Sequence, residues 1–258
     1  MALNFYDDSN LLSYTYLIMK RLHRVMDTAN LILLAGIVAA GLWVTNRANA
    51  VVRSLDFHDG FEIGDLTAWQ FPYPEDWEIL GDPHQHYLHM KRSREPGVPR
   101  RPLQYALLKN IPVGSFEFQA DVRRRQRSMI VVFNYVDTLH FYYTHLSVDR
   151  GEVQPVHNGI FIVNGEDRKR IAGISGAPAL PDGNWHHVRV VRDAGTGSIE
   201  VFMDRSVQPL FAVNDETFKC GLIGIGSFDE TGDFKNTELR SSDAGCQPRT
   251  MPGPADGK

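Results

Sequence analysis

Residues 115–124 read Ser-Phe-Glu-Phe-Gln-Ala-Asp-Val-Arg-Arg, alternating apolar and polar side chains one by one. A period of two belongs to a β-strand with one dry face and one wet face. Phe116, Phe118, Ala120 and Val122 take the dry face, and Glu117, Gln119, Asp121 and Arg123 the wet one. A fully parallel sheet buries both faces, so this pattern points to antiparallel pairing.

Similar short runs recur at His86–Lys91, Gln104–Lys109, Met129–Tyr135, His140–Ser147, Ile160–Asn164, His186–Arg192, Ile199–Asp204, Leu222–Phe228 and Phe234–Leu239. Turn-forming clusters separate them: Asp182-Gly183-Asn184, Asp193 to Gly197, and Asp229 to Gly232. No long helical stripe follows residue 50. The expectation is an all-β chain, two antiparallel sheets packed as a sandwich or jelly roll over residues 51–240, with a polar, loose tail at 241–258.

The first 50 residues read differently. Leu31 to Val44 are fourteen apolar or Gly residues without a charge, short of the roughly 20 needed to span a membrane. Lys20, Arg21 and Arg24 precede them, and Ala48-Asn49-Ala50 follows as a small-x-small site. The reading is an export signal over 1–50, starting at Met19 and cleaved after Ala50, which places the protein outside the cytosol, secreted or periplasmic. An uncleaved anchor is the alternative, and membrane contact would come through that segment alone. Outside the cytosol Cys220 and Cys246 could pair, or remain two free thiols. A net charge of −4 argues against nucleic acid as a partner.

Three motifs carry a family resemblance. Asp56-Phe57-His58-Asp59-Gly60-Phe61 followed by Trp69 resembles the opening strand of concanavalin A-like jelly rolls. Asn184-Trp185-His186-His187-Val188-Arg189-Val190 is similar to a strand of laminin-G-like modules, and Gly221 to Gly226 followed by Asp233-Phe234-Lys235-Asn236 to their closing pair. Relatives of this kind include sugar-binding modules, 3-keto-disaccharide hydrolase-like domains, laminarinase-type hydrolases and polysaccharide lyases. The resemblance implies a polysaccharide or cell-surface glycan on the concave face, and leaves open a binding module, an enzyme, or an adhesion or scaffold domain.

Candidate residues follow from the chemistry each reading needs. Retaining glycosidases use two carboxyls about 5–5.5 Å apart, and the laminarinase pattern E-x-D-x-E stands here as Glu117-x-Gln119-x-Asp121, without the middle acid. Elimination beside a uronate needs a base and a group that neutralises the carboxylate. Tyr143 and His145 supply the first, with Gln119 and Arg123 for the second if their strand is a neighbour. Gln119, Arg123, Tyr143, His145, Asn164 and His187 are the candidate sugar contacts. Lys91, Arg92, Arg94, Arg100 and Arg101, with Arg123, Arg124, Arg125 and Arg127, would favour an anionic glycan if the two segments meet. Trp69, Tyr73 and Trp77 would stack on sugars if exposed, and are read here as core for the two Trp. Jelly rolls of this type often carry a structural Ca²⁺, for which Asp56, Asp59 and Asp233, with Glu62 and Glu238, could supply oxygen ligands.

Overall fold

The computed structural model describes residues 54–62, 64–82, 85–173, 177–249 and 251. The expected export segment and cleavage site, His84, and residues 252–258 lie outside the described residues. The described residues form fifteen strands: β1 (Leu55–Asp59), β2 (Trp69–Gln70), β3 (Trp77–Asp82), β4 (Gln85–Met90), β5 (Gln104–Leu108), β6 (Phe116–Arg124), β7 (Ser128–Asp137), β8 (His140–Ser147), β9 (Gly159–Asn164), β10 (Lys169–Ala172), β11 (His186–Asp193), β12 (Ser198–Met203), β13 (Phe211–Asn214), β14 (Leu222–Ser227) and β15 (Gly232–Ser241). A one-turn helix, α1 (Gln154–His157), lies between β8 and β9.

The eight-stranded sheet runs β13-β12-β11-β6-β15-β4-β3, and β1 also pairs with β15. The seven-stranded sheet runs β10-β9-β8-β7-β14-β5-β2. All recorded strand pairs are antiparallel. The dry face of β6 joins Val188 and Val190 of β11 and Phe234 and Leu239 of β15. Opposite them lie Val131 and Phe133 of β7, Tyr142 and Leu146 of β8, and Ile223 and Ile225 of β14. Each such buried side chain contributes about 1.5–3 kcal/mol, so the alternation is what fixes register: a slip by one residue would put four charges or amides of β6 into this core.

The glycines of the closing motif have a steric reason. A Cβ added at Gly224 would collide with the Ala106 carbonyl oxygen, and one at Gly226 with that of Gln104. Glycine there lets β5 and β14 approach. Contacts with the sandwich continue past residue 240. The Asp243 carboxylate accepts from the Ser115 amide at 2.8 and 3.0 Å, and Cys246 is disulfide-bonded to Cys220.

Candidate functional site

The wet face of β6 looks outward from the eight-stranded sheet, between β11 and β15. Register sets Asp121 beside His187 on one side and Lys235 on the other, and Gln119 between Arg189 and Glu238. The side chains form an unbroken row. His187 Nδ1 lies 2.8 Å from Asp121 Oδ1 and its Nε2 lies 2.9 Å from Gln119 Oε1. Gln119 Nε2 donates to Glu117 Oε1 at 2.6 Å, and Arg189 Nη1 to Glu117 Oε2 at 3.4 Å. The row meets water: Glu117 is 35% exposed, His187 36% and Asp121 22%.

A β-bulge adds the next partner. Lys235 and Glu238 of β15 face Asp121 and Gln119, so β15 carries one extra residue there. Asn236 takes a positive φ of 49° and donates its amide to Asp121 Oδ2 at 2.6 Å. Bulges re-aim side chains in this way, and Asn tolerates the left-handed region. Burial pushes the Asp121 carboxyl up, but the hydrogen bonds from His187 and Asn236 outweigh it and hold the group below its ordinary range.

At the upper end of the row sits an aromatic corner. Tyr87 and Trp185 meet edge to face at 5.8 Å, both half-buried. The Arg123 guanidinium lies 4.4 Å and the Lys235 ammonium 4.5 Å from the Trp185 ring centre. Arg123 is held by Asp233, which also accepts from Arg125 at 2.8 Å and faces His89 Nδ1 at 2.7 Å.

Asp233, expected as a calcium ligand, has a fully buried carboxylate already engaged by the Arg123 and Arg125 guanidiniums and facing the His89 imidazole. Asp59 accepts from the Phe61 amide and the Trp69 indole, and Asp56 faces Arg240 at 3.6 Å. Among the described residues no three His, Cys, Asp or Glu side chains stand together as a metal set.

Tyr143 and His145 lie on the other sheet from Gln119 and Arg123, so the expected elimination set does not assemble. The parity was right: Phe141, Tyr143 and His145 share one face of β8. That face points away from the main core, yet Tyr143 is 0% and His145 1% exposed. They belong to a second apolar cluster with Tyr105, Leu107, Ile130, Val132, Phe161 and Phe228. Arg168, not singled out from sequence, donates to the Tyr143 hydroxyl at 2.9 Å and lies 3.1 Å from His145 Nδ1. Burial, reinforced by Arg168, pushes the His145 imidazole well below its usual range. The pair therefore lines no open groove of the sheet.

Asn164 stands apart and exposed at the end of β9, paired with His140. Trp69 and Trp77 are core, at 4% and 6% exposure. The basic segments do not pool their charge. Arg94 pairs with Asp76 and Glu75, Lys91 with Glu78, and Arg127 with Asp149. Arg189, Asn236 and Tyr87 were missed because their signal is a cross-strand register that one sequence does not display.

No protein-family model and no curated protein sequence matches the chain. Solved structures do. The acidic lectin of winged bean, complexed with methyl-alpha-D-galactose, is 10% identical with a TM-score of 0.50, covering 73% of this chain and 98% of that one. Carbohydrate binding module CBM66 from Bacillus subtilis is 14% identical at 0.48, covering 68% and 96%. Domain 4 of AbnA, a GH43 extracellular arabinanase from Geobacillus stearothermophilus, is 10% identical at 0.46, covering 72% and 91%. The strand order and the lectin likeness agree on the architecture: the chain has a concanavalin A-like jelly-roll fold.

Proposed function

We propose that this chain is an exported carbohydrate-binding domain that engages a polysaccharide or cell-surface glycan on the outer face of its eight-stranded sheet. The observation that carries the reading is the row Asp121–His187–Gln119–Glu117–Arg189, solvent-reaching and ending at Tyr87 and Trp185. Fixed carboxylates, an imidazole, an amide and a guanidinium offer paired donors and acceptors to vicinal hydroxyls, and rings at one end offer apolar surface to a sugar face. The Cys220–Cys246 bond supports an oxidising compartment. The methyl-alpha-D-galactose complex of the winged bean lectin supports a sugar as the ligand class for a sandwich of this shape.

Binding is favoured over hydrolysis because Gln119 stands where the laminarinase pattern has an acid, which leaves that catalytic pattern incomplete. The test is retention of the protein on immobilised neutral and acidic polysaccharides, with reducing ends and unsaturated-uronide absorbance followed alongside. Retention without either signal is the expected result. Reducing ends alone would establish hydrolysis, both signals would establish elimination, and absence of retention on every polysaccharide would leave a scaffold domain.

A further inference from the structure

The corner where β8, α1 and the β9–β10 turn meet carries unspent hydrogen-bonding capacity. His145 Nδ1 faces Arg168 at 3.1 Å, so the ring accepts there and its proton sits on Nε2. That Nε2 is buried and has no partner. Both amide atoms of Gln154, on the one-turn helix packed against β8, are buried and without a partner as well. An unmet buried polar atom costs about 1–3 kcal/mol; His145 Nε2–H and Gln154 Nε2 are donors and Gln154 Oε1 an acceptor, and the His145 donor asks for an accepting partner.

The charge around them selects its sign. Arg168 lies over Phe161 and Phe228, at 4.7 and 4.3 Å, and Arg100 over Phe228 at 5.0 Å. Neither forms an ion pair among the described residues, unlike Arg127, which Asp149 holds through two 2.8 Å bonds. His157, paired with Asp149, stands edge-on to His145 at 5.5 Å and is itself 22% exposed.

We infer that this corner is a second binding site, taking one small oxyanion, the carboxylate of a uronic sugar or a sulfate group, whose oxygen accepts from His145 Nε2–H in the field of Arg168 and Arg100. It deepens the glycan reading by naming acidic sugars as the ligand class, and rests on that reading only for the source of the anion.

The test follows the His145 ring nitrogens by NMR in the full chain while sodium sulfate, sodium glucuronate and an oligouronide are added in turn. A saturating shift of Nε2 is expected, weakened about tenfold or more in Arg168→Gln and unchanged in Lys219→Gln, a distant surface control. Arg100→Gln, on an exposed side chain, gives an intermediate loss and guards against misfolding of the first variant. A shift with sulfate and glucuronate alike supports an oxyanion site of either source, and one with the oligouronide alone supports the glycan source. No shift with any of the three, and a long-lived water contact at Nε2, overturns the inference. Retention on polysaccharide by the other sheet does not depend on this outcome, so the two readings fail separately.

Discussion

The two outward faces of the sandwich are built from opposite materials. On the eight-stranded sheet, Glu117, Gln119, Asp121, His187 and Arg189 reach water and bind one another. On the seven-stranded sheet, Tyr105, Val132, Phe141, Tyr143 and Phe161 point equally outward and are 0–3% exposed. The difference comes from what crosses them. The segment between β4 and β5 is tied to the β9–β10 turn by Arg100 N donating to Asp167 and Arg168 N to the Arg100 carbonyl. Arg100 and Arg168 then lay their guanidiniums on Phe228. An aromatic-rich strand in a jelly roll thus becomes a second core when loops roof it, and the other face stays open to solvent.

The sharpest way to break this contrast is to truncate one side chain on each face. Phe141→Ala should cost about 3–5 kcal/mol in denaturant unfolding, as a core ring does, whereas Glu117→Ala should stay within about 0.5 kcal/mol. Equal small effects would mean that the roofed face is not a core. Next in size is Asp233→Ala, the buried carboxylate under the open face. It strands Arg123 and Arg125, and should cost about 3 kcal/mol. Asp56→Ala, an exposed partner of Arg240, should cost little.

Acid should separate the faces by pH window. The folded chain keeps His145 neutral, because burial and Arg168 push its pKa well below 6.5. As pH falls below 6.5 the unfolded chain takes up a proton that the folded chain refuses, so stability drops there. His145→Gln should flatten that part of the profile. Asp121 acts lower: its folded pKa lies below 3.8, so its contribution is complete above that pH and lost as pH falls beneath it. Asp121→Asn should leave the His145 window untouched. Trp185→Ala should cost about 1 kcal/mol in stability for the lost contacts with Arg123 and Lys235, with its main effect on glycan retention.

Much of the fold was legible in the sequence because period-two alternation reports burial directly. The run at His140–Ser147 matches β8 residue for residue, and β6, β11 and β14 fall within a residue or so. β2, β3, β10 and β13 escaped, being short or lacking clean alternation, as in Trp-Glu-Ile-Leu-Gly-Asp. Site residues on one strand, Glu117, Gln119 and Asp121, could be read by parity. Their partners Asn236 and Arg189 arrive by pairing across strands 70 to 115 residues away in sequence. For Tyr143 and His145, parity gave the correct face but not the roof, since cover by a distant loop leaves no local mark. Asp233 reads in the sequence as an oxygen ligand for calcium, and its partners His89 on β4, Arg123 on β6 and Arg125 just beyond it come together only across strands.

The most direct measurement is a map of which face a retained glycan touches. With the best-retained oligosaccharide added, side-chain NMR signals of Trp185, His187 and Asn236 are expected to shift and saturate together, while Tyr105, Tyr135 and Phe141 stay fixed. Shifts confined to Tyr105, Tyr135 and their neighbours, with Trp185 and His187 unmoved, would contradict the assignment of the eight-stranded sheet as the binding face.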